Sequence, residues 1–475
     1  MPRESIIDCD VLVLGTGAAG MAAGLAAAEA GAETYVISKM PHRAPSPTTR
    51  AYGDVTWSTD ETTHELARQV VETGGFLSDQ RRVRQFAEGV PAMIDSLRLL
   101  GAQFDAPRPA GEDMPGVVRW SYRGVDSGEE VLTRIHDGSR AKHMWLFAAT
   151  EVLVRDGAVC GVAAVGLKAR EPVIFRCPCV ILATGGGAAA FERTDNPPGA
   201  TGDGIAMAYD AGAELVDLEL ISFGYPKGRV SDVLERGGQM REELLGLGHA
   251  HYFLGGVRVD ENCETAVRGL YAAGEVTGGL FGAGRLGGSA LADCFIFGRL
   301  AGHRAAFAAE GRDVDVPDDA LAAAVDRLEG LIRGDRDPAP VHERIREIAW
   351  RDLGPVKTQG SLRRAIEELD ALEDALAFIG GADRDAMRLA VEARQMHTLA
   401  RLTATASLQR EETRGCYWRA DHPQPGGACQ LRNIIVRRAE GGSEIASQPP
   451  VMTELTEPTE PRIGAGCFGY IVRSE

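Results

Sequence analysis

The chain has 475 residues, long enough for two or three domains with substantial cores, and its 51 basic and 68 acidic side chains leave a net charge of −17. That balance speaks against nucleic acid and anionic membrane surfaces as partners. No apolar span of around 20 residues is present, Glu4 and Asp8 interrupt the N-terminus, and nine cysteines lie without zinc or iron–sulfur spacing, so a cytoplasmic protein with free thiols, no membrane insertion and no metal is expected.

The first predicted element is the apolar, β-branched run Cys9 to Leu14, which leads into Gly15-Thr16-Gly17-Ala18-Ala19-Gly20 and then an alanine-rich helix ending at Gly31. Strand, tight turn and helix in that order make a dinucleotide-binding unit: the glycines allow the turn and the close approach of a pyrophosphate, and the helix N-terminus meets its charge. The second strand, Glu33 to Ile37, ends in Ser38-Lys39 where an acidic residue would grip a ribose, which speaks against a nicotinamide cofactor.

Helical spacing follows over 61–73 and 79–100, where Val83, Phe86, Val90, Met93, Ile94 and Leu97 share one face. Thr150 to Val165 alternates like a hairpin turning at Asp156-Gly157. Cys177-Pro178-Cys179 reads as two small buried residues flanking a buried strand at Val180, which ends in Ala183-Thr184-Gly185; Thr201-Gly202-Asp203-Gly204 then opens a helix over 205–211. Between Gly274 and Gly288 stand seven glycines, with Arg285 among them. Such a backbone can lie flat against a planar ligand, with a cation beside it. Beyond about residue 315, Leu362, Ile366, Leu369, Leu372, Leu376 and Ile379 recur at helical steps, with further stripes over 321–332 and 387–408, as in a helical bundle.

These segments, together with Phe297 to Gly302, Arg351 to Gly354 and Glu411 to Pro423, resemble in family order the FAD-dependent fumarate reductase and succinate dehydrogenase flavoproteins, and also L-aspartate oxidase. The resemblance implies an α/β protein: a Rossmann-like FAD-binding domain of the glutathione-reductase type with a reduced capping insertion, plus a C-terminal helical bundle. The expected layout is FAD-binding domain over 1–226 (helical insertion about 56–105), vestigial capping segment 227–250, FAD-binding domain resumed over 251–311, helical domain 312–425, and hairpin and tail 426–475. By the same resemblance FAD would meet the turn from Gly15 to Gly20, Ser38, Lys39, Ser46, Thr48, Thr49, Gly53, Ala183, Thr184, Gly185, Asp203, Gly274, Glu275, Ala290 and Leu291. Arg285 and His251 would hold a substrate carboxylate, a task to which the two parallel donors of a guanidinium are suited.

Three departures from the family pattern carry expectations of their own. The histidine that anchors FAD covalently in some members falls on Ser46 or Pro47, so the cofactor is expected to be non-covalent. A second substrate histidine falls on Gly224 or Tyr225. The capping domain and its proton-donating arginine are reduced to Lys227 to Ala250, leaving Arg229, Arg236 and Arg241 as candidates, of which Arg241 is taken as catalytic. The expected activity is interconversion of a saturated and an α,β-unsaturated (di)carboxylate by hydride transfer at flavin N5. Aspartate oxidase-like chemistry is an alternative, as is an electron-transferring or non-catalytic subunit. A small carboxylate and an electron-transfer or lid-forming protein are the expected partners.

Overall fold

The structure is a computed structural model that describes residues 6–50, 54–99, 103–104, 108–109, 117–121, 127–225, 246, 248–427 and 430–455. Strand β1 (Val11–Leu14) runs into α1 (Ala18–Glu29) and on to β2 (Thr34–Ser38). β1 is apolar throughout because both its faces are covered: Leu12 and Leu14 enter one core, Val11 and Val13 another. Helices α2 (Thr63–Thr73) and α3 (Gln80–Leu99) follow, and the stripe from Val83 to Leu97 on α3 is buried as its spacing predicts. Next come β3 (Lys142–Trp145) and the hairpin of β4 (Phe147–Arg155) and β5 (Ala158–Gly166). The hairpin turns through Asp156 and Gly157, both with positive φ, as a two-residue turn of matching twist requires. β6 (Glu171–Arg176) extends that sheet, and β7 (Cys179–Leu182) returns beside β1.

Farther along lie α4 (Asp203–Asp210), the antiparallel pair β8 (Ile221–Gly224) and β9 (His249–Phe253), β10 (Leu270–Ala272) and the long α5 (Ser289–Ala309). The central sheet is parallel, in the order β10-β7-β1-β2-β3. Helix α5 packs on α1 at backbone distance: a Cβ at Gly298 would stand 2.5 Å from the Ala19 carbonyl oxygen, and one at Gly302 2.3 Å from that of Ala23. Glycine on one helix and alanine on the other thus set the spacing of the layer behind the sheet, and the start of α1 faces the strand ends.

The C-terminal stripes form α6 (Ala339–Leu353), α7 (Gln359–Asp370) and α8 (Arg384–Gln409), and the tail contributes the hairpin β11 (Asn433–Ala439) and β12 (Gly442–Gln448). Their buried leucines join the same core as β1, β5 and β7, and β11 pairs with Leu215 and Val216. Among the described residues no helix is long and apolar enough to cross a membrane.

Candidate functional site

The parallel strands end at a cleft of about 1240 Å³ that runs from the Gly15 turn to Arg285. Its size exceeds the roughly 300–1,000 Å³ of ordinary small-molecule sites and suits an elongated dinucleotide. At one end α1 begins at Gly17 without a side-chain cap and without an acidic residue in its first turn. Its dipole, and the N–H groups of its first turn other than that of Ala18, are turned to the cleft for an anion, as a pyrophosphate requires. Gly15 has φ +118° and a Cβ there would meet the Ala183 carbonyl at 2.2 Å, so only glycine lets the β1 and β7 turns close together under the cleft.

Of the expected cofactor residues, those from Gly15 to Ala19, with Ser38, Lys39, Ser46, Thr48, Thr49, Ala183, Thr184, Gly185, Asp203, Glu275, Ala290 and Leu291, line this cleft. Gly20 and Gly274 stand behind the lining, where a Cβ would strike Gly15 and Ala19 respectively. Gly53 and Arg241, and with them Arg229 and Arg236, lie outside the described residues, as does most of the expected short cap. Thr48 joins its segment to the turn, since its hydroxyl accepts from Ala18 N at 3.1 Å. Ser46 and Thr49 hydrogen-bond each other's backbone, so Ser46 serves as a turn residue.

Lys39 and Asp203 are engaged with each other. The Lys39 ammonium pairs with Asp203 at 2.7 Å and with Glu392 of α8 at 2.8 Å. Burial opposes its charge, but the two carboxylates outweigh burial and hold the amine above its ordinary value. Glu275 is buried by the cleft, which pushes its carboxyl up to about 7 against a hydrogen bond from Phe253 N at 3.0 Å and the charge of Arg285.

Arg285 and His251 meet at the other end. The Arg285 guanidinium lies over the Tyr252 ring, 4.4 Å from its centre, and one of its nitrogens is 3.4 Å from His251 Nε2. His251 Nδ1 is 2.6 Å from Asp195 Oδ2, and the same oxygen lies 3.3 Å from His249 Nε2. Burial works against ionisation of Asp195, but its hydrogen bonds to both imidazoles outweigh that and keep the carboxyl well below the usual range. A carboxylate only accepts, so His251 Nδ1 carries the proton, and Nε2 accepts from Arg285. His251 itself is pushed down, first by burial and further by Arg285, against the support of Asp195.

Asp195 reaches this position because its loop docks along β9, with Ala250 N donating to the Arg193 carbonyl at 2.8 Å and Thr194 bridging to Ala250. Sequence reading did not single out Asp195, His249 or Glu392. His249 and Tyr252 lay in the segment that marked His251, but nothing in the spacing joined them to Asp195. Asp195, His249 and His251 also stand close enough to ligate a divalent ion. The short Asp195–His251 contact, and an arginine at that ring's other nitrogen, favour a hydrogen-bonded chain over coordination.

Fold and cleft together define the class of FAD-binding oxidoreductases. The FAD binding domain family matches residues 10–249 and 247–291, and the fumarate reductase flavoprotein C-terminal family matches residues 342–463. The chain belongs to the FAD-dependent fumarate reductase and succinate dehydrogenase flavoprotein family. It is 27% identical to a subunit of the fumarate reductase (CoM/CoB) from Methanothermobacter marburgensis, over 92% of this chain and 99% of that one. That alignment spans 544 positions against the 475 residues here, so the relative carries segments this chain lacks. An L-aspartate oxidase from Streptomyces coelicolor is 28% identical over 91% of this chain and 92% of its own. The FrdA chain of an E. coli quinol fumarate reductase variant superposes with a TM-score of 0.85 at 21% identity, covering 96% of this chain and 99% of that one. Adenylylsulfate reductase from Archaeoglobus fulgidus reaches a TM-score of 0.78 at 16% identity, over 94% of this chain and 96% of that one, so the fold alone does not select the substrate.

Proposed function

We propose that the protein interconverts a saturated and an α,β-unsaturated carboxylate. Bound FAD supplies hydride exchange at N5; the chain supplies orientation and charge. The observation that carries this reading is Arg285, a buried guanidinium on the cleft wall beside His251. Reduction of a double bond next to a carboxylate spreads negative charge toward that carboxylate, and a fixed cation there lowers the barrier. Tyr252 holds the guanidinium plane from below. Asp195 fixes the His251 tautomer, which leaves Nε2, the nitrogen facing Arg285, as the atom that would exchange a proton with a bound ligand.

The electron source is proposed to be a partner protein, in keeping with the relative named as a subunit. Oxidation at a carbon bearing nitrogen is the second reading, supported by the L-aspartate oxidase relatives at similar identity. The test is anaerobic: the FAD-loaded, reduced protein is mixed with fumarate, and the oxidised protein with succinate or L-aspartate, while flavin absorbance is followed. Fumarate is expected to reoxidise the flavin, and Arg285→Ala and His251→Ala to slow this by roughly 30- to 1,000-fold, about 2–4 kcal/mol each, with flavin retained. A near-normal rate in Arg285→Ala removes it from the reaction, and reduction by L-aspartate alone selects the second reading.

A further inference from the structure

At the β3 edge of the central sheet the cleft is lined by rings from three elements: His42 from the loop after β2, His136 from the last turn of the helix Ser127–Gly138, and Trp145 from β3. Centre to centre, His42 lies 4.3 Å from Trp145 and 5.4 Å from His136. His136 in turn lies 4.5 Å from His143, which shares a face of β3 with Trp145. Neutral rings at these distances attract, and charged ones repel. The charged groups around the cluster are Arg43 and Arg50 on the cleft wall, with Glu129, Arg134 and Asp137 on the helix. Asp137 Oδ1 is 3.2 Å from His136 Nδ1 but is largely exposed. β2 sets the apolar Val36 beside His143, Lys142 turns to Glu33 and Tyr35, and the one charge of α1, Glu29, stands at its C-terminal end. Burial, then the charge of His136 and more weakly that of His42, hold the His143 imidazole down at about 4, against a hydrogen bond at the Ala141 backbone.

The helix that carries His136 is incompletely packed on its other side. Val131 and Ile135 are buried toward α1, yet Ile135 borders an apolar cavity of about 190 Å³ with Ala22 and Leu25 of α1, Met93 and Leu97 of α3, and Phe295 of α5. The helix therefore has room to tilt on α1. It also packs on the segment Pro47–Arg50, which carries Thr48 and Thr49 to the cleft and joins the start of α1 through Thr48. We propose that this ring cluster is a proton-labile latch on the FAD cleft: neutral imidazoles hold the helix Ser127–Gly138 against β3 and retain the cofactor, and a second proton on the cluster drives the helix off and lets FAD leave. In the closed latch His143 is kept neutral; once the helix has moved, it titrates at the ordinary histidine value of about 6.5. Opening thus takes up a proton, and acid favours the open form as pH falls through about 6.5.

Release of FAD from the loaded full chain is followed as flavin fluorescence in the filtrate after dilution at pH 7.5 and pH 5.5. One proton taken up on opening at about 6.5 should speed release by about tenfold over this interval. In His143→Phe the ring stays and the proton goes, so the rate should change by less than about twofold, and His143→Gln gives the same reading if the phenylalanine variant does not load. His136→Phe leaves His143 buried but removes its nearest charge, and should fall between these and wild type. A wild-type rate that is flat over the interval, or slower in acid, overturns the inference, as does a tenfold rise that persists without the His143 imidazole. Failure of both His143 variants to hold FAD at pH 7.5 would make that imidazole a permanent support of the cofactor site rather than a latch, and overturns it as well.

Discussion

Asp195 shows how much of the site depends on single side chains that no local pattern announces. Its carboxylate contacts two imidazoles, yet it lies 54 and 56 residues from them in the chain. Arg285 and His251 were legible because they stand inside glycine-rich and aromatic segments of recognisable pattern; Asp195 and His249 were not, because only the docking of residues 193–194 on β9 brings them together. Glu275 permits a test at the same scale. Burial pushes its carboxyl up to about 7, so the folded protein holds a proton that the unfolded chain releases near the ordinary glutamate value. The stability linked to this group is complete below the unfolded value and is lost as pH rises through about 7. Urea unfolding of Glu275→Gln at pH 5 and pH 8 should show the variant gaining on wild type by up to about 3 kcal/mol at the higher pH. An equal difference at both pH values would assign the titration to another group. Ser46, turned into its own backbone hydrogen bonds, offers no attachment atom of the histidine type. Acid precipitation should therefore release the flavin into the supernatant, and yellow colour kept in the pellet would count against this.

At the scale of elements, helices with one apolar face were readable from spacing, α3 and α8 among them. α5 was not read as a helix, although Phe297 to Gly302 within it was noted as a motif. It is buried on several sides, against α1, α3 and the β7 strand, so its apolar residues form no stripe. What specifies its place is absence of side chains, at Gly298 and Gly302, against the alanines of α1. Gly302→Leu should force these helices apart and cost about 1–3 kcal/mol or more of stability, with weaker FAD binding because the α1 N-terminus moves with them. The same substitution at Gly311, which has open space around it but a positive φ, should leave FAD affinity near wild type. A loss of FAD affinity as large at Gly311 as at Gly302 would discount helix spacing as the cause.

Across the whole molecule, the strand–turn–helix start and the helical character of the C-terminal third were legible, but their mutual packing was not, because periodic apolar faces do not say which surface they meet and buried charges far apart in the chain add to that contact. Arg410, just past α8, is buried against Asp217 at 3.1 Å, Glu219 at 2.6 Å and Glu412 at 3.0 Å, and Arg414 pairs with Glu412 at 2.9 Å. Replacing Arg410 with methionine leaves these carboxylates without their central cation. A cost of about 3–5 kcal/mol is expected, read as a large fall in melting temperature. A melting temperature within a degree or two of wild type would mean that water or protonation already relieves the cluster.

The knot of Lys39 with Asp203 and Glu392 bears on how the protein is made. Lys39 leaves the ribosome more than three hundred residues before Glu392, which at about 5–20 residues per second is a wait on the order of half a minute. Until α8 is synthesised, Lys39 has only one of its two counter-charges, and the Gly187 and Gly202 turns lack Leu399, which packs against them. Capture of flavin is then an event of the nearly finished polypeptide, and ribosome-bound chains that stop short of α8 should emerge colourless.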